Sequence, residues 1–278
     1  MLDIYAMITD RILAELEKGV IPWRKTWKSS EPINYVTRKA YRGVNLLLLP
    51  YGGEWLSFLQ VKQAGGYVRK GEKSSMVVFY KMMQRENQDT GEIESYPFLQ
   101  YTNVFHLSQV EGVESKLELV NTDSDIEPIE TAQTMFDDYI SRSGVKVDHI
   151  VGSNKACYTP STDTITLPVI AQFTSREEYY STAFHEGAHS TGNTSRLDRL
   201  TKTAAFGSGE YSKEELIAEI SACNLVNIAG IELPETFCNS VAYIQSWARK
   251  LKDNKRLIVE ASSAAQKSTD MILGITSA

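Results

Sequence analysis

Cysteine is scarce in this chain: three residues in 278, Cys157, Cys223 and Cys238. An odd count without finger spacing excludes a disulfide-stapled miniprotein and a cysteine-ligated zinc finger, and reduced thiols in a cytoplasm are expected. Long apolar runs are lacking too. Stretches such as Leu46 to Leu49 fall far short of the roughly 20 residues that span a bilayer, so no membrane partner is expected. No secretory leader is expected either, because Asp3 and Asp10 interrupt the N-terminal stretch and no small-residue cleavage site follows. Eight prolines and 17 glycines show no period or low-complexity tract, which excludes a collagen-like repeat. The composition that remains, 42% hydrophobic and 23% charged, is globular, and the length suits two domains of ordinary size.

The net charge of −6 conceals an asymmetry. Residues 1–81 carry 13 Lys and Arg against 7 Asp and Glu, net +6; the rest carries 16 against 28, net −12. The basic part also holds three of the four tryptophans, Trp23, Trp27 and Trp55, and Tyr35, Tyr41, Tyr51 and Tyr67 alternate there with lysines and arginines. Aromatic faces stack unpaired bases and cations track phosphates, so the pattern suits a sequence-tolerant single-stranded-DNA surface. Its candidate contacts are Trp23, Lys25, Trp27, Arg38, Tyr41, Arg42, Arg69, Lys70 and Lys73. Gly66 to Lys73 reads as a glycine-hinged basic hairpin. The competing reading is ordinary: tryptophans are mostly core and lysines mostly solvated.

Ile4, Ile8, Ile12 and Leu16, widened by Leu13, predict an amphipathic helix over residues 3–18. Residues 55–64 read as a short helix. Ser75 to Lys81 and Phe98 to Leu107 read as a hairpin turning at Asp89-Thr90-Gly91. The acidic stretch from Glu118 to Pro128 reads as a linker. Beyond it a helix is expected over Thr131 to Ser143. Short strands follow at Val145 to Val151, Ala156 to Thr159 and Thr164 to Leu167, then helix almost to the end. The expected fold class is α+β: a small α+β N-terminal DNA-binding domain over residues 1–118, then a mostly helical domain over 130–278 with a short mixed sheet. Thr164 to Leu167 is expected at the edge of that sheet, where an extended peptide can add as a further strand.

His185-Glu186-Gly187-Ala188-His189 fits H-E-x-x-H. On a helix, positions i and i+4 share a face, so both imidazoles can ligate one zinc-like ion. Glu186 is then placed as general base toward the bound water. Ser175 to Glu178 reads as a capping box and Gly192 as a stop signal, while Gly187 costs the helix roughly 1 kcal/mol. A third ligand is needed, and Ser195 stands where a longer histidine motif would place it. Downstream, Glu215 and Glu219 share a helix face, so that one can ligate while the other orients a histidine. The pattern resembles the gluzincin arrangement, and the likeness favours Glu215, with Glu219 the second choice. Ser212-x-x-Glu215 is also a capping box, which would tie Glu215 to a helix start. His106 and His149 are weaker candidates.

The order of these pieces resembles the plasmid antirestriction proteins of the ArdC type. The likeness rests on Asp10 to Trp23 with Trp27, Tyr41 to Asn45, Gly66 to Lys73 and Val104 to Gln109. In the second half it rests on His185 to His189, Thr191-Gly192, Arg196 to Arg199 and Glu214 to Glu219. Thr26, Arg38 and Ser190 depart from the family pattern, which expects proline, glycine and an aromatic residue there. The resemblance implies an N-terminal single-stranded-DNA-binding domain and a C-terminal zincin-like metallopeptidase domain with an unidentified protein substrate. It also implies protection of incoming plasmid or phage DNA from host restriction. Two classes stay open at this point: a DNA-tethered zinc protease, and a DNA-coating protein whose zinc site is structural or idle.

Overall fold

The computed structural model describes residues 3–18, 21–23, 31–86, 93–117, 128–150, 156–200, 209–232 and 241–276. The turn expected at Asp89 to Gly91, nearly all of the linker, Lys25 and Trp27 lie outside the described residues. The fold is α+β, and the chain divides into two compact units. One comprises Met1–Ile12 with Ser29–Val120, the other Leu13–Lys28 with Asn121–Ala278. The division falls within α1 (Ile4–Glu17). Asp3 opens α1 by accepting the Ala6 N–H at 3.1 Å, and its stripe of Ile8, Ile12, Leu13 and Leu16 is buried as the periodicity requires.

The first unit contains β1 (Pro32–Asn34), α2 (Asn45–Leu48), β2 (Gly53–Ser57), α3 (Phe58–Gln63), β3 (Tyr67–Val68), β4 (Ser75–Glu86), β5 (Ile93–His106) and β6 (Val110–Glu111). Four strands form a sheet in the order β1-β2-β5-β4, with β1 parallel to β2 and the other pairs antiparallel. Tyr41, Leu49, Trp55, Val77 and Val104 make one core cluster. The helix expected over 55–64 is strand as far as Ser57. There a capping box fixes the change: Ser57 Oγ accepts the Gln60 N–H at 3.3 Å, and Gln60 Oε1 accepts the Ser57 N–H at 2.8 Å. The edge strand β4 is covered at Val78, whose N–H and C=O both bond the Asn45 side chain, at 2.7 and 2.9 Å. Gly66 to Lys73 is not a hairpin, because β3 pairs with β6. Gly66 makes that pairing possible: a Cβ there would lie 2.4 Å from Val113 Cγ2 and 2.5 Å from Glu111 O.

The second unit contains α4 (Pro128–Ser143), β7 (Lys146–Ile150), β8 (Cys157–Thr159), β9 (Thr164–Pro168), α5 (Arg176–Thr191), α6 (Gly209–Ile228), α7 (Val241–Asp253) and α8 (Leu257–Leu273). Pro128, expected to close the linker, is instead the first residue of α4, where its missing N–H costs nothing. The sheet order is β7-β9-β8, which corrects the edge expectation for Thr164 to Leu167. That strand is central, parallel to β7 and antiparallel to β8. The reason is burial: Ile165 and Leu167 sit in the core with Phe136, Tyr139, Phe184 and Leu225, so the strand has neighbours on both sides. The edges are β7 and β8.

Candidate metal centre

Helix α5 carries the H-E-x-x-H motif. Ser175 opens it, with Oγ accepting the Glu178 N–H at 3.2 Å. The Glu178 carboxylate turns to the Thr174 hydroxyl rather than closing the expected box. Gly192 ends the helix with φ −78, so its role is not a left-handed turn. It allows close approach: a Cβ there would lie 2.9 Å from Leu200 Cγ and 3.1 Å from Arg199 Nη2.

One helical turn apart, the His185 and His189 rings stand at 84° with centroids 4.8 Å apart. Their Nε2 atoms are 3.2 Å from each other. The carboxylates come from α6, which begins at Gly209. Ser212-x-x-Glu215 therefore lies inside the helix, and the competing cap for Glu215 does not arise. Glu215 lies 3.7 Å from His185 Nε2 through Oε2 and 3.7 Å from His189 Nε2 through Oε1. Glu219 stands behind the first ring, 3.7 Å from His185 Nδ1. Glu214 stands behind the second, 3.3 Å from His189 Nδ1.

Each imidazole thus shows Nδ1 to an outer carboxylate and Nε2 to Glu215. An Nδ1–H donated to a carboxylate leaves a lone pair on Nε2. Two lone pairs and a third carboxylate then converge, an arrangement that a cation relieves. The donor atoms of His185, His189 and Glu215 all lie within 4.8 Å of one another. A tetrahedral ion with bonds of about 2.0–2.2 Å separates its donors by roughly 3.3–3.6 Å, so the set suits a small divalent cation in spacing and in chemistry. Burial disfavours the charged form of His185, yet the carboxylates of Glu215, Glu186 and Glu219 outweigh it and raise its pKa. Burial likewise pushes Glu214 up, but His189 and Arg199 hold it below the usual carboxylate range. Glu186 is buried between the two histidine positions.

The remaining histidines are accounted for elsewhere. His106 Nε2 lies 2.9 Å from Gly52 O, and His149 Nε2 lies 2.8 Å from the Tyr179 hydroxyl. Ser190, where the family pattern expects an aromatic residue, is buried with its Oγ 2.6 Å from the Tyr139 hydroxyl. Glu214 and Arg199 were not singled out as functional residues by sequence reasoning. The available signal was an acid, Glu214, directly before the first member of the i, i+4 acidic pair Glu215/Glu219.

The expected nucleic-acid contacts are distributed unevenly. Trp23 is 3% exposed and Tyr41 6%, so neither offers an open ring face to a base. Arg38 is ion-paired with Glu54, whose carboxylate has no exposed surface. Its φ of 59 is the left-handed geometry that favours glycine. Arg69 pairs with Glu72 at 2.9 Å. Arg42, Lys70 and Lys73 are exposed. Among the described residues the open aromatic rings include Tyr51, Phe58, Tyr67, Phe79 and Phe98, at 54%, 53%, 60%, 50% and 46% exposure. Among the described residues, no helix is long and apolar enough to cross a membrane.

A family described as the N-terminal domain of anti-restriction factor ArdC matches residues 2–105, and one described as zincin-like metallopeptidase matches residues 134–264. Crystal structures of antirestriction ArdC protein from plasmid R388, metal-free and Mn(II)-bound, are 36% identical. They give TM-scores of 0.76 and 0.77 over 99% and 98% of this chain and 100% and 98% of theirs. A DNA primase TraC of Escherichia coli is 31% identical over 97% of this chain, which spans 20% of that primase's length. The protein y4eC of Sinorhizobium fredii (strain NBRC 101917 / NGR234) is 31% identical over 96% of this chain and 91% of its own.

Proposed function

The chain belongs to the ArdC antirestriction family, and from that premise we propose that it protects incoming plasmid or phage DNA from restriction in the cytoplasm. In this reading it binds single-stranded DNA through its basic N-terminal part and carries a zinc peptidase centre in its zincin-like domain. The observation that carries the reading is the convergence of two Nε2 atoms and the Glu215 carboxylate, each imidazole backed at Nδ1 by a further acid.

His185, His189 and Glu215 would hold the ion, and Glu219 would orient His185. Three protein donors leave a fourth position open, the mark of a catalytic site. A bound zinc ion supplies Lewis acidity, polarising a peptide carbonyl and acidifying a water. Glu186, buried on the same helix, would accept a proton from the attacking water and return it to the leaving amine nitrogen. The DNA contact falls on Lys70 and Lys73, with Tyr67 the nearest open ring in sequence. An N-terminal surplus of positive charge draws phosphate there, while the acidic remainder repels it.

The test is protection of transferred DNA from restriction in cells, comparing wild type with Glu186→Ala at equal abundance. Loss of protection supports a peptidase role. Full protection by the variant overturns it and leaves DNA coating as the activity.

A further inference from the structure

We propose that Arg199 is a positioning residue of this centre, fixing Glu214 so that Glu214 in turn fixes the ring plane and tautomer of His189. The inference rests on the reading of His185, His189 and Glu215 as metal ligands.

The guanidinium grips Glu214 with two parallel bonds: Nε donates to Oε2 at 3.1 Å and Nη2 to Oε1 at 3.0 Å. The same Oε1 lies 3.3 Å from His189 Nδ1. A fork of this kind fixes the direction of both carboxylate oxygens, which a lone ammonium does not do. The far side of the guanidinium is anchored to the helix turn that carries His189. Nη1 donates to Thr191 Oγ1 at 2.8 Å, and Nη2 donates to Ala188 O at 2.8 Å. Arg199 therefore ties the acid on α6 to the turn of α5 whose imidazole it must meet.

The chain between the helices is folded to deliver this side chain. Leu197 N–H donates to Thr191 O at 2.9 Å, and the N–H groups of Arg199 and Leu200 both donate to Gly192 O at 2.9 Å. The missing Cβ at Gly192 leaves the room that Arg199 Nη2 occupies. Arg199 and Glu214 are both largely enclosed, with 12% and 14% of their side chains exposed. The pair is thus shielded from the water that would otherwise compete for its bonds.

The test uses the full chain and zinc alone. Zinc affinity is measured by competition with a chromogenic chelator, and thermal stability is measured on metal-free protein. Arg199→Met is expected to weaken zinc binding about 10- to 100-fold, the usual effect of removing a group behind a metal-bound histidine. Arg199→Lys, which keeps the charge without the fork, is expected to fall between. The double variant Arg199→Met/Glu214→Ala is expected to bind no more weakly than Glu214→Ala alone, since both act on His189 by one route. A merely structural role would instead make the two losses multiply. Arg196→Met serves as the control, lowering stability with zinc affinity unchanged. Wild-type affinity in Arg199→Met, or multiplying losses, overturns the proposal alone. Failure of wild type to take up zinc overturns the metal reading and this proposal with it. If Arg199→Met does not fold, Arg199→Lys and its double variant with Glu214→Ala decide the matter in the same way.

Discussion

Trp23 and Trp247 meet edge to face, with ring centroids 6.4 Å apart and planes at 89°. Both belong to the second unit, and the Trp23 indole N–H is buried without a partner among the described residues. Such a ring contributes packing rather than stacking on a base. Trp23→Ala is expected to cost about 3–5 kcal/mol of stability, as large aromatic truncations in a core do. The milder Trp23→Phe is expected to keep single-strand affinity unchanged. Denaturant unfolding and a DNA titration check the pair. A tenfold loss of DNA affinity in Trp23→Phe at unchanged stability would contradict it.

The same tryptophan shows where sequence reasoning reaches and where it stops. The i, i+4 histidines and the Glu215/Glu219 pair were legible because helix geometry alone puts them on one face. The amphipathic stripe of α1 was legible for the same reason. Whether Trp23 or Tyr41 faces water depends on partners far away in the chain, which local composition does not encode. The central position of β9 depends on its pairing with β7, again a non-local matter, as well as with β8 across a short turn. Glu214 was missed as a functional residue because Ser212 imitates a helix start, whereas α6 begins at Gly209. Glu214 is therefore already inside the helix, where its side chain has a fixed direction toward His189.

The carboxylates of α6 are expected to separate by rank when zinc content is measured on purified variants. His189→Ala removes a donor, Glu215→Gln exchanges an anionic donor for a weaker neutral amide oxygen, and each is expected to abolish stoichiometric binding. Glu219→Gln removes only the group behind His185 and is expected to keep one ion per chain at an affinity lower by about 10- to 100-fold. A zinc-replete Glu215→Gln protein beside an empty Glu219→Gln protein would exchange the two assignments.

Gly187 has no steric need to be glycine. A Cβ there would meet Phe136 Cε2 at 3.5 Å and Ile272 Cδ1 at 3.8 Å, both ordinary contacts. Glycine in a helix interior costs about 1 kcal/mol against alanine. Gly187→Ala is therefore expected to raise the melting temperature of metal-free protein while leaving zinc content unchanged. A fall in melting temperature would mean that the extra methyl group displaces Phe136 or Ile272.

Asp163 is expected to contribute to acid sensitivity. Its carboxyl is held below the ordinary value, first by the Arg196 hydrogen bonds and, against burial, also by the Tyr158 hydroxyl. Arg196 is nearly enclosed and bonds Ser190 O at 2.8 Å as well. A depressed folded pKa gives stability that is fully present above the unfolded value and lost as pH falls through the folded one. Wild type should therefore lose melting temperature below about pH 4 more steeply than Asp163→Asn. At pH 7 the variant should be the less stable of the two. Parallel pH profiles would show that the pair adds nothing to folding.

Single-strand binding is expected to follow exposure rather than residue type. Stacking requires an open ring face, and in the first unit Tyr51, Phe58, Tyr67, Phe79 and Phe98 have one while Tyr41 does not. Tyr67 precedes Lys70 and Lys73 on the segment that β3 anchors against β6, so ring and cations come from one short stretch. Tyr67→Ala is expected to cost about 1–3 kcal/mol of affinity for single strands and little for duplex, whose bases are already stacked. Lys70→Ala and Lys73→Ala are expected to weaken binding evenly across sequences, each reducing the salt slope by about 1. Arg38→Ala should differ in kind. Its partner Glu54 is fully enclosed and also accepts from Ser115 Oγ at 2.7 Å and Lys116 N at 3.0 Å. Removing the guanidinium leaves a buried carboxylate short of one donor, at a cost of roughly 1–3 kcal/mol in stability. A salt titration of fluorescent single strands, run beside thermal unfolding, separates the two kinds. Unchanged affinity and slope in Tyr67→Ala and both lysine variants would move the DNA surface away from this segment altogether.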